Sequence, residues 1–258
     1  MVIFFRQTVS FISRLNFFVV TFLLIAGGPL IAEPKTVLEP YNAKYRISQN
    51  SLNTTAERSL KKQGDNKWQL SQQASLWFIH VEEESQFKLV DGKVQPLRYR
   101  YENSISSKRD QDIIFDWSKG KVSDKTYRKP WSLPLNPDYT DQLSAQLQLR
   151  ELLVNAENTS NLSQTIIKNG KLKTYDISLL DEETIDTAVG PLRTVKLLRK
   201  REGSSAETII WLAVDWNYLI VSLQQNEDDD TLSLELLSAD IAGRPVRGLA
   251  ANSTAKTP

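Results

Sequence analysis

The chain has 258 residues, 40% apolar and 24% charged, values ordinary for a globular protein that builds its own core. It has one histidine and no cysteine, which excludes disulfides, thiolate metal sites, a cysteine nucleophile and anchoring through a lipidated cysteine. Thirty-two basic residues stand against 31 acidic ones, so the basic excess typical of nucleic-acid binders is missing.

Residues 1–32 have the pattern of a secretory signal. Arg6 and Arg14 form a basic start without acids, LNFFVVTFLLIAGG is the apolar stretch, and PLIA ahead of Glu33 resembles a cleavage site after Ala32. The apolar run is about 14 residues, shorter than the about 20 a membrane-spanning helix needs. A cleaved signal predicts periplasmic export with no stable transmembrane span; an uncleaved anchor is the alternative. Cleavage removes two basic residues and leaves 30 against 31 acids. A proline-bounded lead follows over 33–40, then a single domain over 41–248 and a small, polar, flexible tail over 249–258.

Within the domain the dominant period is two. LRYRY sets Leu97, Tyr99 and Tyr101 on one face; YDISL does the same for Tyr175, Ile177 and Leu179, and TLSLELL for Leu232, Leu234 and Leu236. Asp91-Gly92, Lys119-Gly120, Asn169-Gly170 and Gly190-Pro191 separate the runs as turns, which favours antiparallel hairpins over βαβ units. About ten strands are predicted. One segment breaks the period. NPDYTDQLSAQLQLRELLVN, residues 136–155, predicts a helix started by Asp138 or Thr140. It carries two apolar stripes: Leu143, Leu147 and Val154 on one, and Ala145, Leu149, Leu152 and Leu153 on the other. Two stripes fit a helix gripped from two sides in a curved sheet, or a helix on a flat sheet with a loop over its second stripe.

Candidate chemistry is sparse. His80 lies in a strand pattern, and a lone histidine supplies neither a triad without a nucleophile elbow nor a zinc site. No glycine-rich phosphate loop is present, so no nucleotide cofactor is expected. Carboxylate pairs remain, because glycoside hydrolysis needs only two. The candidates are Glu82-Glu83-Glu84, read mainly as a solvated face, with Asp116 and Asp215. NEDDD at 226–230 reads as a solvated hairpin tip rather than a calcium loop. KLLRKRE at 196–202 reads as a strand end discouraging edge pairing, or as a basic patch for anionic lipid head groups or phosphates. The six tryptophans serve as core by default, Trp77 and Trp216 being candidates for a cleft. In ETIIWLAVDWNYLIVSL, Asp215 to Tyr218 read as a corner, with Asp215 bonding nearby backbone N–H groups and both faces of the flanking strands covered.

The order of landmarks carries a resemblance: YNAKYRIS, QFKLVDGKVQPLRYRYENS, IIFDWSKGKV, the helical segment, TAVGPLRTVKLLRKR and IIWLAVDWNYLIVSL. Over roughly 41–240 this series resembles the bacterial periplasmic family called domain of unknown function 3108. The matching positions are Phe115, Asp116, Trp117, Leu143, Ser144, Arg150, Gly190, Trp211 and Asp215. Leu219-Ile220-Val221 stands where the family leads one to expect leucine-proline-valine, Ser222 where a basic residue is common, and Gln142 where a proline precedes the helical pair. Loss of the strand proline predicts more regular pairing there. The resemblance implies a curved antiparallel half-barrel around one principal helix, similar to the lipoprotein carriers of the Lol system. By that analogy Leu143, Leu147, Leu149, Leu152, Leu153, Trp77 and Trp216 would line an apolar cleft. No catalytic, cofactor or metal residue is assigned. The leading expectation is a non-enzymatic binding protein or chaperone for a lipid, lipoprotein or other hydrophobic envelope component. An envelope scaffold is the alternative, and a two-carboxylate glycan hydrolase is third.

Overall fold

A computed structural model describes residues 38–49, 52–76, 79–126, 129–155, 162–228 and 230–249. The signal pattern, most of the lead, Trp77 and nearly all of the tail lie outside these residues.

The strands, in chain order, are β1 (Tyr41–Gln49), β2 (Leu52–Lys62), β3 (Lys67–Leu76), β4 (Ile79–Val90), β5 (Lys93–Asn103), β6 (Gln111–Asp116), β7 (Lys121–Asp124) and β8 (Trp131–Pro134). Then come β9 (Tyr139–Thr140), the helix α1 (Ser144–Asn155), β10 (Leu162–Lys168), β11 (Lys171–Ile185), β12 (Leu192–Lys200), β13 (Glu207–Ala213), β14 (Leu219–Glu227), β15 (Asp230–Ile241) and β16 (Arg244–Pro245). The expectation of about ten strands is corrected to sixteen among the described residues. Short pieces such as β9 and β16, each two residues long, are held by a neighbour's ladder and leave no period to read.

All sixteen belong to one sheet, in the order β8-β7-β6-β5-β4-β3-β2-β1-β15-β14-β13-β12-β11-β10-β9, with β16 on β15. Two meanders, β1 to β8 and β10 to β15, are joined where the first strand pairs the last long one. Every pair is antiparallel except β9 with β10. The hairpin turns fall where expected: Asp91-Gly92 and Asn169-Gly170 each join strands directly, with both residues in the left-handed region. The sheet is mainly β, unclosed and curved around one helix, as the resemblance implied.

Its free ends, β8 and β9, are sequence neighbours, and side chains bridge the gap that hydrogen-bonded strands do not. The Asn169 N–H donates to Gln111 Oε1 (3.1 Å). The Trp131 ring lies against Gly170, where an added Cβ would sit 2.7 Å from the ring. The tip of the β10–β11 hairpin therefore rests on the β6–β8 end of the sheet.

Local irregularities depart from strict alternation. A bulge between Gln86 and Phe87 opposite Arg98 and Pro96 removes Leu97 from the face of Tyr99 and Tyr101, and Val94 and Pro96 are the buried residues instead. Another lies opposite Trp211 and Leu212, so the ladder is irregular at Ile220–Ser222 although no proline stands there. At that bulge the buried Tyr45 hydroxyl donates to the Ile220 carbonyl at 3.0 Å.

The helix starts later than its composition predicts. Asp141, not Asp138 or Thr140, is the cap: its Oδ1 accepts the N–H groups of Leu143 (2.9 Å) and Ser144 (2.8 Å), and its own N–H donates to Ser144 Oγ (3.1 Å). Asp138 accepts an exposed contact from Lys93, and Tyr139–Thr140 extend beside β10. From the cap onward only Asn155 of the helix is exposed. The helix is thus gripped around its circumference, its buried set including Leu147 and Leu149 from the two stripes but also Arg150 and Glu151. Its ties reach both meanders. Ser85 Oγ of β4 donates to Asp141 Oδ2 (2.7 Å), Arg58 of β2 to Gln146 Oε1 (2.8 Å), the Val94 N–H of β5 to Gln148 Oε1 (2.6 Å), and Gln164 of β10 to the Ala145 carbonyl (2.8 Å).

Replacing Asp141 by Ala removes the cap and strands the buried Ser85 hydroxyl, and is expected to cost about 2 kcal/mol in urea unfolding. Asp138→Ala, losing only a surface pair, should stay within about 0.5 kcal/mol. Gly170→Ala combines a left-handed backbone with the Trp131 contact and should cost roughly 1–3 kcal/mol. Equal stability of these three variants would contradict the assignment of cap and seam.

Candidate functional site

Strand register divides the inner face into two halves. One ends at a rim containing Tyr41, Lys93, Leu192 and Leu219; the other ends at a rim containing Gln49, Asn103, Lys200 and Glu207. The helix fills the first half. From its cap beside Ser85, midway along β4, it runs toward Tyr41, where Arg150 lies under the Tyr41 ring and donates to the Asn217 carbonyl (2.8 Å). Leu143, Leu147 and Leu149 are buried in the core there, with Phe87, Leu60 and Leu212, while Leu152 and Leu153 are half-buried. The candidate helix residues are packed side chains in this half.

Beyond the helix N-terminus the inner face changes character. Alternation from the buried positions places Ile47, Val81, Tyr101, Leu223 and Leu232 on it, and each is only half-buried. Between these and the helix lies a polar layer. Arg58 Nε donates to Gln72 Oε1 (3.0 Å), and its guanidinium lies over the Tyr45 ring. Tyr99 donates to Glu83 Oε1 (2.6 Å). Burial pushes the Glu83 carboxyl above the usual carboxylate range, against the pull of Tyr99, Arg58 and Lys168. Burial likewise pushes Asp141 up, against its hydrogen bonds from Ser144, Ser85 and Leu143. The reading of Glu82-Glu83-Glu84 as a solvated face is corrected at its centre: strand alternation turns Glu83 inward and leaves Glu82 and Glu84 outside.

The opposite meander completes this layer with cations. Lys168 of β10, Lys173 and Tyr175 of β11 and Arg199 of β12 alternate with outward residues and share the face of buried Ile166 and Ile177. Arg199 lies 4.9 Å from the Tyr175 ring centroid, and its Nη2 donates to Thr208 (3.3 Å). The basic run 196–202 is therefore not at a sheet edge. β12 is an interior strand, Lys196 and Lys200 pair outward with Glu183 and Glu207, and Arg199 turns in.

The family-motif positions are dispersed, each holding a local structure. Phe115 is core; Asp116 closes the turn after β6, accepting from Ser118 Oγ (2.6 Å), the Lys119 N–H (3.1 Å) and Lys119 Nζ (2.7 Å). Those bonds hold its carboxyl down at about 2. Trp117 donates to the Pro96 carbonyl at 2.6 Å. Gly190, at φ +99°, lies against the Gly248 backbone, and a Cβ on Gly248 would come within 2.4 Å of the Gly190 carbonyl carbon. Trp211 is outward, donating to Glu183 (2.7 Å) beneath Lys196, so the outer face of β13 is half-exposed rather than covered. Asp215 does not bond its own turn: both its oxygens take Arg193, at 3.2 and 2.8 Å. The corner is held instead by Arg150, by Glu39 accepting from Asn217, and by Trp216 donating to the Arg247 carbonyl. Asp116 and Asp215 are partners of surface cations, not carboxyls in the apolar setting that makes a general acid. His80 bonds Ser75 Oγ (2.8 Å) on the surface.

On the outer side of β1–β5 and β15 the sheet bends into a polar trough of about 760 Å³, with Lys44, Glu57, Glu82, Glu84, Arg100 and Asp240 among its lining. Nothing in the sequence marks this trough, because its residues are ordinary outward strand positions. Among the described residues no group of acids and histidine is placed to hold a metal, and no helix is long and apolar enough to cross a membrane.

Because the folded state holds the Glu83 proton more tightly than the unfolded chain, the wild type loses stability as pH rises from about 4 through the folded pKa, and no further above it. Glu83→Gln keeps an acceptor for Tyr99 and removes this loss. Its melting temperature should gain on the wild type as pH rises toward neutrality; a difference constant with pH would show that Glu83 titrates normally.

Residues 41–237 match the family described as protein of unknown function, DUF3108. No curated protein matches the chain. Among solved structures, a β-barrel-like protein of domain of unknown function DUF1849 from Brucella abortus has a TM-score of 0.53 at 10% identity, over 79% of this chain and 98% of that one. A Bacteroides fragilis protein described as exported, with a YmcC-like fold, gives 0.34 at 10% identity, over 79% and 96%. A Parabacteroides distasonis protein described as a lipoprotein gives 0.31 at 9% identity, over 80% and 97%. The first of these supports the barrel-like fold, and the match over 41–237 places the chain in the DUF3108 family of proteins of unknown function.

Proposed function

We propose that this protein is a periplasmic, non-enzymatic binding protein or chaperone for a hydrophobic envelope component, a lipid or the acyl part of a lipoprotein. The observation that carries the reading is the unequal filling of the inner face. The helix occupies the half toward Tyr41 and leaves Ile47, Val81, Tyr101, Leu223 and Leu232 half-buried in the other. Half-exposed apolar side chains on a curved inner face, with a few polar groups beside them, match the makeup of small-molecule sites. The basic, then apolar, first 32 residues support export. The fold likeness itself says nothing about a ligand.

A fluorescent fatty acid or lysolipid is expected to bind the purified protein, and Val81→Trp and Leu223→Trp to weaken it at least tenfold by filling the space. Native mass spectrometry of protein from the periplasm should show adducts of lipid mass. Empty protein with no uptake of either probe would sink this reading. The outward trough favours a second one, an envelope scaffold that docks a partner on the face of β1–β5. Crosslinking in cells through Glu82 or Lys44 positions to a stable protein partner, with no lipid adduct, is the result that reading requires.

A further inference from the structure

The geometry points to Lys168, Lys173 and Arg199 as the site for the anionic head group of an amphiphile, its acyl chain lying along the half-buried apolar residues beside them. This inference rests on the binding function proposed above and specifies the class of its ligand.

The three cations occupy adjacent strands on one face. Lys173 pairs with Ile166 in register, two residues along the same face from Lys168, and Tyr175 lies between Lys173 and Arg199. Among the described residues none has a salt-bridge partner, whereas Lys196 and Lys200, outward on the strand of Arg199, are each paired with a carboxylate. Among the described residues nothing accepts a hydrogen bond from the buried Nε of Arg199. A buried guanidinium N–H without an acceptor costs stability unless a ligand oxygen completes it. Glu83, on the facing meander, is the acid that acts on Lys168 from across the inner face, with Glu227 at the strand end. Glu83 already accepts a hydrogen bond from Tyr99. Burial and the like charge of Lys173 hold the Lys168 ammonium below its ordinary range, and burial lowers Arg199 too. The cations therefore repel in the empty protein, and a phosphate or carboxylate among them would relieve the repulsion while its hydrocarbon covers Ile47, Tyr101 and Leu223.

Calorimetric titration of the purified protein with lysophosphatidic acid, the monoacylglycerol of the same chain and inorganic phosphate tests the assignment. Lysophosphatidic acid should bind at least tenfold more tightly than the monoacylglycerol, with inorganic phosphate too weak to compete at equal concentration. Lys168→Gln and Arg199→Gln should each bring the two amphiphiles within about threefold of each other, with Lys196→Gln unchanged. Lys173→Gln repeats the test should the Lys168 and Arg199 variants unfold. Equal binding of both amphiphiles by the wild type overturns the head-group site and leaves the binding function standing. Tight binding of inorganic phosphate overturns it in favour of a free-anion site. Binding of neither amphiphile overturns both.

Discussion

Asp141 is wholly buried, and its carboxylate accepts hydrogens from three directions: two from the first turn of α1 and one from the hydroxyl of Ser85 in the middle of β4. A carboxylate is tolerated inside a protein only when such bonds replace water. Its position is therefore fixed by both the helix and the sheet, and it fixes them to each other. Everything about the inner face follows from where this cap places the helix start. Set at mid-strand and directed toward Tyr41, a helix of 12 residues fills one half of the lumen and ends against the corner at Asn217.

The corner shows how the two meanders are coupled. Arg150 is 2% exposed, yet it reaches the Asn217 carbonyl and stacks on Tyr41, so the helix bonds the β13–β14 connection and packs on β1. Burial lowers the Arg150 pKa, while the neighbouring tyrosines and Glu151 favour its charge. The cost of burying a guanidinium is offset by a backbone acceptor and an aromatic face. The family-motif residues are explained in this way. Ser144 completes the cap, Arg150 holds the corner, Asp116 and Gly190 shape turns, and Trp211 and Asp215 take part in outward ion-pair clusters.

The two faces of the sheet handle charge differently. Outside, basic and acidic side chains on neighbouring strands pair, directly opposite as with Arg46 and Glu235 or diagonally as with Arg98 and Asp112. Inside, Arg58 relies on Gln72, Gln146 and the Tyr45 ring, Arg199 on Thr208 and the Tyr175 ring, and among the described residues Lys168, Lys173 and Arg199 form no salt bridge. Neutral partners of this kind stabilise a buried cation without cancelling its charge. The inner face beyond the helix therefore carries apolar side chains and cations together, with Glu83 and Glu227 the acids that act on Lys168, which distinguishes it from both the packed half and the outer trough.

By itself the sequence determined what local physics controls: period-two strands, the left-handed turns at Asp91-Gly92 and Asn169-Gly170, a doubly apolar helix, and the absence of cysteine and phosphate-loop chemistry. It also marked the basic run from which Arg199 comes. Tertiary structure alone decided which member of a charged run turns inward, since one bulge resets the alternation of a whole strand and periodicity cannot place the bulge. It decided that Asp141 rather than Asp138 caps the helix, because Ser85, 56 residues away, selects it. It also decided that the candidate helix leucines are packing while the accessible inner surface lies past the helix start, because a helix's length and chemistry are local properties, and its position along a curved sheet is set by contacts from both meanders.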